Sequence, residues 1–182
     1  MPTKKSFRMR AGVVLGALLV SACAGINGSH LAPGVSTRAD VIASMGPPAM
    51  VWKNADGSEQ LAYPRGPAGT QTYMATLGAD GKLKSIVGVL NEPYFQLVEP
   101  GMTPAQVLRI VGPSGPFWTQ TYPRSNTLAW TWLYCASGDF QNYFDVYFDM
   151  TTGLVRSTGR SPVFAGRMGG TPGCTQDNLD LH

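Results

Sequence analysis

A near-repeat within the chain is the feature that most constrains its fold. The stretch from Thr37 to Pro47 aligns without a gap with the stretch from Thr103 to Pro113, at a constant offset of 66 residues. A repeat of fixed period sets the architecture, because each copy must be one supersecondary unit. The sequence therefore predicts one small module used twice. The offset pairs Val41 with Val107, Gly46 with Gly112 and Pro47 with Pro113.

Each copy carries the signals of a short helix. Thr37 and Thr103 stand where the helix would begin, and a threonine hydroxyl is a good N-cap. Gly46 and Gly112 stand where it would end, each followed by proline, which stops a helix from continuing. A helix this short is not stable alone, so it must pack against a sheet.

Strand patterns follow each helix. In the last strand of the first copy, alternation puts Leu83, Val87 and Val89 on one face and Lys84 with Ile86 on the other. A further short helix, Glu92 to Val98, is predicted between the copies. The predicted strands are Met50–Trp52, Glu59–Tyr63, Thr70–Leu77 and Lys82–Leu90, then a short one near Trp118, Thr127–Cys135, Tyr143–Asp149 and Leu154–Thr158.

Helices first and strands last predict an α+β fold. We expect two tandem modules, each with two short helices followed by a three- to four-stranded antiparallel sheet. One arrangement open to the two sheets is edge to edge, as a single curved surface that hides edge strands.

The amino-terminal residues have the pattern of a secretory leader. Four cations (Lys4, Lys5, Arg8, Arg10) precede an apolar stretch that is too short to span a bilayer. Cys23 follows small residues and resembles the lipidated cysteine of a bacterial lipobox. An ordinary signal peptide with a chance cysteine is the alternative. Ala24 in place of aspartate favours the outer membrane, by analogy with enteric bacteria.

These patterns divide the chain into five segments. We predict a lipoprotein signal peptide at residues 1–22, a lipidated tether at 23–30, a first module at 31–90, a second module at 91–165 and a tail at 166–182. Without the four leader cations, the formal net charge falls from +3 to −1. A chain without a basic patch is not expected to bind nucleic acid.

The cysteines and histidines bear on compartment and metal binding. With Cys23 lipidated, Cys135 and Cys174 remain, and an oxidising compartment favours a disulfide between them. Two free thiols are the alternative. A metal site is not expected, because there is no CxxC motif and the two histidines, His30 and His182, are far apart in sequence. No cofactor is expected either.

The residues do not form a recognisable catalytic motif. No phosphate-binding loop or HExxH motif occurs, and no histidine has a nucleophile and carboxylate in a suitable context. We therefore expect a protein that is not an enzyme and has no small-molecule substrate. A weaker alternative is a hydrolase that uses Asp139, Asp145 or Asp149, although Asp145 and Asp149 fit outward-facing strand positions.

Aromatic residues of the second copy are the better functional lead. Alternation puts Phe144, Val146 and Phe148 on one strand face, as core, and places tyrosine and aspartate on the other face. Outward tyrosines are typical of protein interfaces. For Trp130 and Trp132, the alternative to partner binding is a role in the hydrophobic core. The predicted partner-binding residues are Trp130, Trp132, Tyr134, Tyr143 and Tyr147.

The pattern Gly101-Met102-Thr103, with Val107 and Gly112, an aromatic strand and an Asp-Gly-x-Leu turn, resembles the SmpA/OmlA (BamE-like) outer-membrane lipoproteins. The first copy departs by one inserted residue between Gly34 and Thr37. The resemblance implies a lipid-anchored, non-catalytic scaffold on the periplasmic face of the outer membrane. Its partners would be the membrane and an envelope protein, such as the β-barrel assembly machinery.

The tandem arrangement also resembles the β-lactamase inhibitor protein architecture, whose double sheet forms a concave binding surface. This second resemblance implies an alternative function. In that alternative, the aromatic sheet face would bind and block a periplasmic or secreted enzyme.

Overall fold

The order of helices and strands is α+β with two antiparallel sheets. The computed structural model describes residues 30–65, 69–114, 119–136, 140–163 and Cys174. The first half contains α1 (Arg38–Met45), β1 (Met50–Lys53), β2 (Glu59–Pro64), β3 (Thr72–Leu77) and β4 (Leu83–Gly88). The second half contains α2 (Glu92–Phe95), α3 (Pro104–Val111), β5 (Thr119–Tyr122), β6 (Thr127–Ala136), β7 (Phe140–Asp149) and β8 (Val155–Pro162).

Helices α1 and α3 occupy equivalent positions at the 66-residue offset. The hydroxyls of Thr37 and Thr103 each accept a hydrogen bond from the backbone N–H three residues on. In return, the side chains of Asp40 and Gln106 accept a hydrogen bond from the backbone N–H of the threonine. Both helices end at a glycine with positive φ, +83° at Gly46 and +74° at Gly112. The predicted repeat therefore gives two helices of the same length and the same caps.

The two sheets also repeat each other. Each has four strands in sequential order, β1-β2-β3-β4 and β5-β6-β7-β8, and all pairs are antiparallel. In both copies the segment before the main helix bonds to the start of the last strand. Gly34 donates to the Leu83 carbonyl in the first copy, and Gly101 donates to the Val155 carbonyl in the second.

The first sheet is covered on both faces. One face packs against α1, with Leu61, Tyr73 and Leu77 buried beneath Val41. The other face packs against the helices of the second half, where Ala62, Met74 and Val89 form a small cluster with Tyr94 of α2. The layers therefore run α1, first sheet, α2 with α3, second sheet.

This layering differs from the edge-to-edge arrangement considered from the sequence. Among the described strands, none of one sheet pairs with a strand of the other, and α2 and α3 lie between the sheets. On the other side of these helices, Phe95, Val107 and Val111 pack against Trp132 and the buried side chains of β7. An apolar helix layer that both sheets can cover buries more surface than a strand edge does.

The prediction of two helices in each module is not confirmed. The second half has two, whereas the described part of the first half has α1 alone. At the 66-residue offset, the counterpart of α2 would be residues 26–29, which lie outside the described residues. Residues 34–36 are not helical: the Gly34 N–H and the Ser36 carbonyl bond to Leu83, and the N–H groups of Val35 and Ser36 bond to the Ala32 carbonyl.

The predicted facing of β4 is wrong in its first half. Leu83 pairs with Leu77 but Ser85 pairs with Thr76, so Lys84 is an extra residue at a bulge. The bulge puts Leu83 and Ile86 together on the α1 side. Val87 and Val89 lie on the opposite side, in the cluster with Met74.

Cys135 and Cys174 form a disulfide, with their Cα atoms 5.9 Å apart. The bridge attaches a residue of the tail to the end of β6. The predicted signal peptide, Cys23 with almost all of its tether, and the rest of the 166–182 tail lie outside the described residues. Within the described ranges, no helix is long and apolar enough to cross a membrane.

The repeat offers a matched pair of substitutions for testing how the halves pack. Gly46 and Gly112 both have positive φ, so alanine strains the backbone at either position. At Gly112 a Cβ atom would also lie 2.7 Å from Thr72 Cγ2 on the first sheet, whereas at Gly46 it would meet nothing within 4 Å. We expect Gly112→Ala to destabilise the protein by about 1–3 kcal/mol more than Gly46→Ala, by overpacking.

Urea unfolding of both variants measures this difference. Equal losses of unfolding free energy would contradict the close approach of α3 to the first sheet.

Candidate functional site

The second sheet has one face that no helix of the described chain covers. We call this the outer face; it is the side of β5–β8 opposite α2 and α3. Phe144, Val146 and Phe148 point inward and are buried, as their alternation predicts. Tyr143, Asp145 and Tyr147 lie between them on the outer face and are half-buried.

Asp145 is the polar centre of the outer face. Thr131 Oγ1, on the neighbouring strand, donates a hydrogen bond of 2.5 Å to its Oδ1 atom. The Tyr147 hydroxyl donates to Oδ2 at 3.3 Å. Among the described residues, no cation lies within 4 Å of the Asp145 carboxylate. The carboxylate is therefore held by neutral hydroxyl donors.

Tyr147 is held in place by its neighbours. Burial, and then the adjacent Asp145 carboxylate, raise the pKa of the Tyr147 phenol above its usual value, so its hydroxyl keeps its proton. The ring passes over Gly159 of β8, where a Cβ atom would lie 3.1 Å from Tyr147 Cε2. A fixed aromatic ring with a polar end is well suited to binding a protein, because little entropy is lost on contact.

Tyr143 lies farther along the same face of β7. It pairs across the sheet with Leu133 of β6 and with Ser161 of β8. At the other end of the face, Tyr122 of β5 is exposed and its hydroxyl donates to Gln120. The outer face therefore includes three tyrosines and two carboxylates, Asp145 and Asp149.

Three of the predicted partner-binding residues are not on this face. Trp132 and Tyr134 are each 3% exposed and belong to the core, because their side of β6 faces α2 and α3. The Trp132 indole N–H donates to the Gly112 carbonyl at 3.2 Å. Trp130 is half-buried on the same side, against Phe148. The two tryptophans therefore occupy core positions, which is the alternative considered for them from the sequence.

Tyr134 is tied to the helix layer. Its hydroxyl lies 3.3 Å from Glu92 Oε1, and Glu92 also pairs with Arg160. Burial, followed by the Glu92 carboxylate, raises the pKa of the Tyr134 phenol. Tyr134 therefore stabilises the packing of α2 on the second sheet. Of the five predicted partner-binding residues, Tyr143 and Tyr147 are the two that lie on the outer face.

The acidic residues considered for a hydrolase site do not form a pair, and each has different contacts. Asp149 ends β7, where it pairs with Arg156 and accepts bonds from the backbone N–H groups of Thr151 and Thr152. The hydrogen bond from Arg156 contributes most to lowering the pKa of Asp149 to about 2. Asp145 lies four residues earlier on the same strand, and Asp139 is outside the described residues.

Metal-binding clusters are not found among the described residues: no group of three His, Cys, Asp or Glu side chains is placed to hold an ion. The described part of the chain contains cavities, among them two that border its main helices. One, of about 350 Å³, lies beside α1 and includes Asp40 and Ser44. The other, of about 310 Å³, lies between the two halves and includes Tyr94 and Arg109.

The sequence reasoning missed Arg109, although a signal was present. At the 66-residue offset Arg109 replaces Ala43, so the second copy has a cation on its main helix where the first copy has a methyl group. A departure of this kind from an otherwise close repeat marks a position at which the copies differ in role.

The Asp149–Arg156 pair predicts a defined pH dependence. The pKa of Asp149 is lowered to about 2 in the folded chain, against about 3.9 when unfolded. Its contribution to stability is therefore present above about pH 4 and is lost as the pH falls towards 2. We expect the melting-temperature difference between the wild type and Arg156→Gln to shrink over that interval.

Thermal unfolding at a series of pH values measures this difference. Arg124→Gln, at an exposed arginine of the same region, is the matched control and should show no such interval. A wild-type–Arg156→Gln difference that stays constant from pH 7 to pH 2 would contradict the pairing.

Comparison with known proteins shows little similarity. No family model matches the chain, and no curated protein matches it. Among solved structures, the chain is similar to an extracellular protein containing an SCP domain from Bacillus anthracis str. Ames, with 14% identity and a TM-score of 0.26. The match covers 88% of this chain and 50% of that protein, so the chain spans about half its length. A similarity of this size supports no statement about fold or function.

Proposed function

We propose that this chain is a lipid-anchored, non-catalytic binding protein of the bacterial envelope. In this proposal Cys23 carries the lipid and holds the folded part on the periplasmic face of the outer membrane. The outer face of the second sheet then binds an envelope protein. Tethering raises the local concentration of the protein near a membrane partner, so a modest interface is sufficient.

The observation that carries the proposal is the construction of the outer face. Tyr143 and Tyr147 are half-buried on this face, and Tyr147 is held by its hydrogen bond to Asp145 and by the close approach of its ring to Gly159. Ordered tyrosines lose little side-chain entropy when a partner covers them, and they are enriched at protein interfaces.

The disulfide and the repeat support the proposed setting. A Cys135–Cys174 bridge is typical of proteins in an oxidising compartment, such as the periplasm. A capped helix that ends at glycine and precedes a four-stranded antiparallel sheet is also what the resemblance to the SmpA/OmlA lipoproteins implies. We propose that the second half, with two helices before its sheet, is the complete form of the module.

The lipid anchor can be tested directly. If Cys23 is the lipidated residue, Cys23→Ser should lose incorporation of a palmitate analogue, and the protein should leave the membrane fraction. Two acyl chains or more are needed for stable anchoring, so the shift between fractions should be nearly complete. Cys135→Ser is the matched control and should keep both the label and the membrane location. A label that persists in Cys23→Ser would contradict the proposal.

The binding surface can be tested by photo-crosslinking in cells. A photoreactive amino acid at Tyr143 or Tyr147 should form an adduct with an envelope protein, which mass spectrometry then identifies. The same group at Val35, which is exposed on the first half, is the matched control and should give no adduct with that protein.

The outcome separates the proposed function from its alternative. An adduct with a component of the β-barrel assembly machinery, or another envelope assembly protein, is the expected result. An adduct with a periplasmic or secreted enzyme would instead favour the inhibitor-like function. Adducts from Val35 alone would show that the outer face is not the binding surface.

A further inference from the structure

The two carboxylates of the outer face differ in how their charge is balanced. Asp149 pairs with Arg156. Asp145 has no cation within 4 Å among the described residues, and its hydrogen bonds come from the neutral hydroxyls of Thr131 and Tyr147. A carboxylate has about four acceptor sites, so these two bonds leave about half of them available. Neutral donors also leave the negative charge of Asp145 in place.

The immediate neighbours of Asp145 are small or aromatic. Strand register places Thr131 of β6 and Gly159 of β8 directly beside it. Tyr143 and Tyr147 lie two residues before and after it on the same face of β7, so their Cα atoms are each about 7 Å from that of Asp145. The Tyr147 hydroxyl, 3.3 Å from Oδ2, keeps its ring next to the carboxylate. The aliphatic part of a long basic side chain can pack on such rings while its charged end reaches the carboxylate.

The position of Asp145 restricts the chemistry of any protein that covers the outer face. A partner that contacts both Tyr143 and Tyr147 must also cover Asp145, which lies between them. Removing water from a carboxylate without pairing its charge strongly disfavours binding. A basic side chain placed on the carboxylate removes this penalty, because its charge is complementary and its N–H groups donate to the remaining acceptor sites.

We propose that the protein bound by the outer face presents an arginine or lysine side chain that pairs with Asp145. The charged group of that side chain donates to the carboxylate, and its aliphatic part lies against Tyr143 or Tyr147. This inference rests on the proposed function, since it requires that a protein covers the outer face. It adds the chemistry of the contact at the centre of that face, and it makes Asp145 a residue that selects the partner.

The test measures how the charge at Asp145 affects crosslinking in cells. A photoreactive amino acid at Tyr143 reports the contact, and the yield of adduct is measured relative to the amount of the protein. We expect Asp145→Asn to lower this yield at least about tenfold, because a charged hydrogen bond is lost and the partner's cation is left unpaired. Asp145→Lys should abolish the adduct. Asp145→Glu, which keeps the charge, should retain most of it.

Two further variants separate the charge of Asp145 from other properties of the face. Asp149→Asn is the matched control, because it removes the same charge from the same strand face, at a carboxylate that Arg156 already pairs. Its adduct yield should stay within about twofold of that of the parent protein. Thr131→Val removes a hydrogen bond to Asp145 but keeps the charge, so it should retain the adduct. Melting temperatures show that each variant is folded.

The outcomes distinguish this inference from the proposed function. If the adduct forms with Asp145 intact and its yield is unchanged in Asp145→Asn and Asp145→Lys, the inference is overturned and the proposed function stands. Equal losses in Asp145→Asn and in either Asp149→Asn or Thr131→Val would also overturn it, because the effect would then come from the overall charge or shape of the face. No adduct from either Tyr143 or Tyr147 with Asp145 intact would overturn the proposed function and this inference together.

Discussion

The two halves of the structure pack against each other at Gly112. Its carbonyl accepts a hydrogen bond from the Trp132 indole of the second sheet. A Cβ atom at this position would lie 2.7 Å from Thr72 Cγ2 and 3.3 Å from Met74 Cε, both on the first sheet. A residue with a side chain would hold the first sheet away from α3. The positive φ at Gly112 also ends the helix at the point where the two sheets approach it. One glycine thus sets both the length of α3 and the distance between the layers.

This layering decides which surfaces remain available. The first sheet is covered by α1 on one side and by α2 and α3 on the other, so neither of its faces is open to a large partner. In the described part of the chain, helices pack against the second sheet on its inner side alone. The outer face around Asp145 is therefore the broad sheet surface that no described helix covers, while the shared helix layer borders the smaller cavity beside Arg109.

Much of the local structure could be predicted from the sequence, because the signals act over a few residues. The N-cap threonines and the terminal glycines define α1 and α3, and both capping boxes are present. Strict alternation along β7 separates buried Phe144 from half-buried Tyr143. Prediction failed at Leu83, where a bulge inserts one residue and reverses the alternation that follows.

The repeat and the alternation of side chains are enough to predict that the chain is built from two similar helix-and-sheet units, and which residues of β6 and β7 share a face. Which of those faces lies under the helices depends on long-range packing. Trp132 and Tyr134 look alike in sequence whether they face a partner or α2, and the choice depends on contacts with residues 20 to 42 positions away. The position of Arg109 depends in the same way on hydrogen bonds with Asn54 and Gln60, which are 55 and 49 positions away. Periodicity reports the direction of a side chain relative to its own strand, whereas burial is set by whatever packs above it.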